Sequence, residues 1–242
     1  MTWKGSKIAF VLVVIGIATA LSGCVLLRRT GPVQTGSETV ELGDAESVAV
    51  NLRMGGGELT VQGGADALME ADFSYNVADW EPMVEYDVSG GRGELSVEQP
   101  DVRGGLRLDE YEYVWDLAFA DDVPMDLTAQ LGAGRSTLNV ADLSLTSLSF
   151  EVGAGDTTVD LDGNWEEDLD VSMRGGVGQA TIYLPGDVST RVTVDGGIGE
   201  VDATGLSRDG GAYVNEPFEG GDATLEVDIE GGVGQINLEV QE

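Results

Sequence analysis

The side chains that could do chemistry are few in kind. The 242 residues hold one cysteine, Cys24, and no histidine. Without histidine there is no Ser-His-Asp or Cys-His catalysis, and the commonest transition-metal ligand is missing. A lone cysteine forms no intrachain disulfide and no cysteine-rich zinc site. What remains is carboxylate: 44 Asp and Glu against 12 Lys and Arg, a formal net charge of −32. Paired carboxylates can cleave glycosides as acid and base, yet no pair stands apart from acids spread through the whole chain. We therefore expect no enzyme, no cofactor and no metal centre. An acidic surface of this size repels nucleic acid and anionic headgroups. It reads as a solvated surface suited to high salt, where screening relaxes self-repulsion. The alternative is a set of divalent-cation sites.

Cys24 carries the one covalent chemistry with a local context. Lys4 and Lys7 open the chain, and no acidic residue appears before Glu38. From Ile8 to Leu21 runs an apolar stretch of about 14 residues, short of the roughly 20 that a membrane-spanning helix needs. A positive start, an apolar middle and a small-residue exit describe a secretory signal. The exit, Leu21-Ser22-Gly23-Cys24, resembles the bacterial lipobox, whose cysteine receives a diacylglycerol thioether and further acyl chains such as palmitate. Residues 1–23 are thus expected to be a lipoprotein signal peptide, with Cys24 the lipidation site. The alternatives are an ordinary signal followed by an incidental thiol, or an uncleaved anchor helix. Residues 24–38 lack any period and read as a flexible tether.

The elements behind the tether follow one pattern. Alternating apolar runs such as Val48-Val50-Leu52, Leu138-Val140, Val192-Val194 and Leu225-Val227-Ile229 mark strands with one buried face. No segment after the signal offers an amphipathic helix. A Gly-x-Gly element recurs at Gly55-Gly57, Gly91-Gly93, Gly132-Gly134, Gly153-Gly155, Gly176-Gly178, Gly197-Gly199 and Gly232-Gly234. The copies from Gly132 to Gly197 are spaced 21, 23 and 21 residues apart. A short period with glycine at one phase points to an all-β solenoid of stacked two-strand repeats, with glycine at the corners. The alternative is a β-sandwich in which Gly-x-Gly marks hairpin turns. These glycines are not phosphate loops, because strand residues such as TLNV and ATIYL follow them instead of a helix N-terminus.

The run PMDLTAQLGAGRSTLNVADLSLTSLSFEVGAGDTTVDLDGNW, with LPGDVSTRVTVDGGIGEV and the closing IEGGVGQINLEV, resembles the toast-rack family, related to the C-terminal domain of LiaF-like proteins. The resemblance covers 129–242 well, as C-terminal solenoid repeats, and 39–128 less specifically, as an N-terminal toast-rack-like region. It implies a stacked β-solenoid at the cell envelope. The signalling role of LiaF-like proteins transfers poorly, since this chain shows no helical membrane domain, and the resemblance carries over no catalytic residue.

One stretch breaks the rhythm. Residues 108–128, LDEYEYVWDLAFADDVPMDLT, interleave aromatics with acids, and Tyr111, Tyr113, Trp115 and Asp116 are candidate ligand contacts for a carbohydrate or a cation. The plainer reading puts Tyr111, Tyr113 and Trp115 on one strand face, covering an open end of the solenoid, which terminal repeats require. Asp160, Asp162 and Asn164 around Gly163 read as an acidic turn, with calcium as the alternative. Two function classes follow. The first is a lipid-anchored extracytoplasmic module for adhesion, envelope sensing or docking, on the cell membrane or an outer membrane, with an envelope protein or glycan as partner. The second is a cation- or carbohydrate-binding lipoprotein using 108–128.

Overall fold

The computed structural model describes residues 30–100, 111–215 and 223–241. Cys24 and the signal segment lie outside the described residues. Among those described, the only helical element is one 3-10 turn, Ala78–Trp80, and the rest is strand and turn. The strands are β1 (Gln34–Val40), β2 (Ser47–Gly63), β3 (Met69–Tyr75), β4 (Met83–Ser89), β5 (Arg92–Glu98), β6 (Tyr113–Phe119), β7 (Met125–Asn139) and β8 (Leu145–Asp160). They continue with β9 (Leu169–Leu184), β10 (Ser189–Asp195), β11 (Ile198–Thr204), β12 (Ser207–Asp209), β13 (Ala212–Val214), β14 (Thr224–Glu230) and β15 (Val233–Val240).

The strands form one 15-stranded hydrogen-bonded sheet that folds along a line of glycines. β2, β7, β8 and β9 are each long enough to run through a Gly-x-Gly element, and they stack in parallel with that element in register: Gly57 on Gly134, Gly134 on Gly155, Gly155 on Gly178. The split partners of β2 show the fold line. Its first half pairs with β5, and its second half pairs with β6. At the other end β9 pairs with β14 before its glycines and with β15 after them. Each rung is therefore two strand segments meeting at a corner, and the alternating apolar residues of both face inward. Val48, Val50, Leu59 and Val61 of β2 are buried with Leu127, Leu138, Leu148 and Val159 of the rungs beside it. This is the β-solenoid that the period implies. Because β2 pairs directly with β7, the regions 39–128 and 129–242 share one core.

Several details depart from the linear repeat. Ordered pairing begins at Gln34, inside the stretch read as a tether, where β1 runs antiparallel to β3. Its residues QTGSETV stay exposed or half-exposed, and an edge strand with no buried apolar face leaves no alternation to read. Gly91-Gly93 is no corner. Ser89 pairs with Arg92, so Gly90 and Gly91, at φ +60° and +80°, form the two-residue turn of the β4–β5 hairpin. The last rungs are also out of sequence order. β14 and β15, the end of the described chain, lie between β9 and the rung of β10 and β11. A strand flanked on both sides is buried more fully and wants a more continuous apolar face. On the inner rung Leu225, Val227, Ile229 and Leu238 are buried and Ile236 and Val240 partly covered, while on the outer rung Val192 is buried and Val194, Val201 and Ala203 are partly covered.

Candidate functional site

The glycine corners form two columns along the stack. A Cβ on Gly134 would run into the carbonyl oxygen of Gly57, one on Gly155 into that of Gly134, and one on Gly178 into that of Gly155. Gly234 and Gly199 continue the same contact onto Gly178 and Gly234. The companion column runs Gly55, Gly132, Gly153, Gly176, Gly232 and Gly197, each later glycine facing the carbonyl of the one before. Gly134 and Gly155 also sit at φ +144° and +143°, a conformation that strains any residue with a Cβ. These columns are architecture and offer no side chain to a ligand.

At the β5 and β6 end the stack is sealed. Trp115 is 0% exposed, Tyr113 and Phe119 are buried beside it, and β3 pairs along the outer edge of β6. Phe73 meets Trp115 edge-on at 5.8 Å, and Trp80 meets Tyr113 and Tyr111 edge-on at 5.2 and 5.3 Å. Burial pushes the Tyr113 hydroxyl well above its ordinary pKa. Of the candidate ligand contacts in this stretch, Tyr113 and Trp115 thus present no surface, Tyr111 is half-buried, and Asp116 is exposed on the opposite face of β6. The physical reason is topology. With β3 and β1 laid outside it, the aromatic face of β6 looks into the core instead of out of an open end. Gln99 completes the seal at the corner, where its Oε1 accepts the N–H groups of Gly55 and Gly56 at 2.6 and 3.3 Å. Trp80 and Gln99 carry no periodic signal, so the pattern of the repeats does not point to them.

The acids do not converge. Among the described residues no three lie grouped to hold a metal ion. In the turn after β8, Asp160 accepts the Asp162 N–H at 3.0 Å, and desolvation, then Asp160 and Asp187, raise the Asp162 carboxyl above its usual range. Arginines instead sit across neighbouring strands from acids: Arg53 on Glu98 at 2.8 Å, Arg135 on Glu58 at 3.2 Å and Arg174 on Glu230 at 2.8 Å. Arg92, with Thr146 and Ser147, binds Asp126, and the Thr146 hydroxyl followed by Arg92 holds that carboxyl below the ordinary range.

The far end differs. β11 pairs with β15 and, among the described residues, with no strand on its other side. Ile198 at its head is 78% exposed, the most exposed large apolar side chain described. Val233 and Val177 lie beside it in register, also largely exposed. Behind them a cleft of about 100 Å³ opens into the end of the core, lined by Met173, Val194, Val201, Ile229 and Ile236.

A parallel β-stack folded at glycine corners, closed at one end by aromatics and acidic throughout, defines a repeat scaffold, and a cleft of about 640 Å³ over its corners is lined by Arg53, Trp80, Gln99, Tyr111, Gln130 and Glu151 among others. The chain belongs to the toast-rack family: the family model for the N-terminal domain of toast_rack, DUF2154, matches residues 29–183. A solved structure of a candidate cell adhesion protein from Clostridium sporogenes is similar at 30% identity and a TM-score of 0.84, over 86% of this chain and 100% of that one. A candidate adhesin from Parabacteroides merdae matches at 12% identity over 88% of this chain and 98% of that one, but its TM-score of 0.23 supports no comparison of fold. No curated protein matches the chain. No helix among the described residues is long and apolar enough to cross a membrane.

Proposed function

We propose that the protein is a non-enzymatic, lipid-anchored extracytoplasmic module that presents a rigid acidic β-stack for adhesion or docking to another component of the envelope. The observation that carries this reading is the likeness over 86% of this chain to the Clostridium sporogenes protein, at 30% identity and TM-score 0.84, whose description names cell adhesion. Three features support it. The lipobox-like Leu21-Ser22-Gly23-Cys24 supplies an anchor, and acyl chains contribute about 0.8 kcal/mol per buried CH₂. The stack supplies a stiff body, since each rung is held by the ones beside it. The absence of histidine from the whole sequence removes the usual general base.

The test compares cells carrying the wild-type protein with a deletion strain and with Cys24→Ser, scoring attachment and cell–cell aggregation. Loss of attachment in both altered strains, with the Cys24→Ser protein folded but released from the membrane fraction, is the expected result. Full attachment by Cys24→Ser cells, or an unmodified Met1 terminus in the mass of the membrane-bound protein, overturns it.

A further inference from the structure

Every half-sheet end of the stack but one is closed by an antiparallel strand. β4 closes β5, β3 and β1 close β6, and β13 with β12 closes β10. Among the parallel rung strands β11 alone keeps an edge that no described strand pairs; the other free edges belong to the closing strands β1, β4 and β12. Exposed edges template strand addition, and proteins normally blunt them. Here the features beside the edge are apolar. The middle residues of the stacked corners, taken in spatial order, are Gly56, Ala133, Ala154, Val177, Val233 and Ile198. Side-chain size grows along the stack and is greatest at the open end. The cleft beside Val201 is of a size to take a single branched aliphatic side chain.

The charge beside the edge selects the occupant. Glu200 and Asp202 are exposed on the outer face of β11, and no arginine among the described residues pairs them. A second copy of this chain is disfavoured. Antiparallel pairing centred on Val201 would set Glu200 against Asp202, parallel pairing would set each against itself, and each chain carries −32 overall. Like charges directly opposite across a strand pair are destabilising. The corner adds a restriction, because the column of glycine carbonyls runs off the end of the stack at Gly199. A strand added in parallel must bring glycine to that position or begin after it.

We infer that β11 is the docking edge for an extended segment of a basic partner protein, added as one more strand, with Lys or Arg beside Glu200 and Asp202 and an aliphatic side chain seated in the cleft at Val201. This rests on the docking function proposed above and names its contact. Strand addition draws affinity from main-chain hydrogen bonds and specificity from alternate side chains, and the partner's charges set the encounter rate.

The probe is a fluorescent peptide that opens Gly-Val-Gly and continues as repeated Lys-Val, titrated into the full-length lipidated protein in detergent micelles. A Glu-Val peptide of the same length is the control. Expected are saturable binding of the Lys-Val peptide alone and slowed amide exchange confined to residues 199–204, the mark of new backbone hydrogen bonds. The double change Glu200→Lys with Asp202→Lys is expected to weaken binding by about tenfold or more. Glu85→Lys with Asp87→Lys on β4, which alters net charge equally, should leave it unchanged. Equal loss in both double variants, or protection spread over the acidic faces, means mere ion exchange and overturns the inference. So does protection of 199–204 that follows protein concentration without peptide, since the occupant would then be a second copy. Failure here alongside intact anchor-dependent attachment removes the docking edge and leaves the adhesion reading standing.

Discussion

The two ends of this stack are built from the same repeat and terminate it in opposite ways. At one end Trp115, Tyr113, Phe119 and Trp80 are packed under β3, and Gln99 occupies the N–H groups of the outermost corner. At the other, Ile198 stands in solvent and β11 has an unpaired edge. A parallel stack buries its core only between rungs, so each terminus must either be covered or remain reactive. Where large aromatics fill the terminus, the end serves stability. Where aliphatic residues stand in solvent beside an unpaired rung edge, as Ile198 does, it is suited to contact, although a cleft also lies at the aromatic end beside Trp80, Tyr111 and Gln99.

The comparison breaks first if the aromatic end is not a core. Trp115→Ala is expected to destabilise the fold by about 3–5 kcal/mol, the range for removing a fully buried aromatic. Ile198→Ser, which removes an exposed side chain, should change stability by less than about 0.5 kcal/mol. Urea denaturation midpoints of the two variants measure the difference. Similar values would mean that both ends are covered alike.

The corner glycines test what the two ends share. Gly155→Val imposes a side chain at φ +143° against the Gly134 carbonyl, and strain alone is of order 1–3 kcal/mol. Gly178→Val should behave the same way. Gly36, in β1, has open space where its Cβ would lie, so Gly36→Val is the matched control and should leave the melting temperature where it was. Equal effects at Gly155 and Gly36 would refute the stacked corners.

Those corners were largely legible from the chain, and the reasons show where legibility stops. Glycine recurring at a 21-residue step with alternating Val and Leu around it reports a local geometry repeated in space, and periodic residues reveal it. Gly91-Gly93 carries the same letters but sits in a hairpin, because a two-glycine turn and a stacked corner both need glycine and only pairing tells them apart. The wedging of β14 and β15 between β9 and the rung of β10 and β11 is a non-local pairing that the spacing of the repeats does not report. β1 has no apolar face to read. Trp115 and Tyr113 were legible as one face of a strand, but whether that face looked into the core or out of it depended on β3, whose partners Phe73 and Tyr75 lie about forty residues earlier in the chain. Gln99 acts through one side-chain oxygen on two corner amides, and no spacing announces that.

Gln99 sharpens the comparison at a single contact. Gln99→Leu keeps most of the side-chain volume and leaves the Gly55 and Gly56 amides at the sealed end without this acceptor. A hydrogen bond of this kind contributes about 1 kcal/mol net, so a loss of about that size is expected, with faster amide exchange at Gly55 and Gly56. No change in exchange there would mean that the closed corner does not depend on its cap.

Salt separates the ends by sign. Near the sealed end the arginines meet acids across strands, Arg53 with Glu98, Arg92 with Asp126 and Arg135 with Glu58, and exposed pairs of this kind are worth under about 1 kcal/mol and weaken as salt rises. At the open end Arg174 and Arg191 meet Glu230 and Asp209 on the half-sheet of β14 and β10. On β11, however, Glu200 and Asp202 have no such partner among the described residues, so there the same salt removes repulsion. Raising NaCl from 0.1 M to 1 M shortens the Debye length from about 10 Å to about 3 Å. Acids outnumber bases by 44 to 12, so repulsion dominates the whole, and the melting temperature should rise, equally with KCl and NaCl. Amide exchange resolves the parts: protection of β11 should increase with salt while that of β5 stays level or falls. Calcium gives the sharpest contrary result. A specific site would stabilise saturably at low millimolar calcium, following RT ln(1 + [L]/Kd) and unmatched by NaCl of equal ionic strength. Such a jump would show that the acids of this stack coordinate cations rather than merely face water, and amide protection gathered at 160–164 would place the site in that turn.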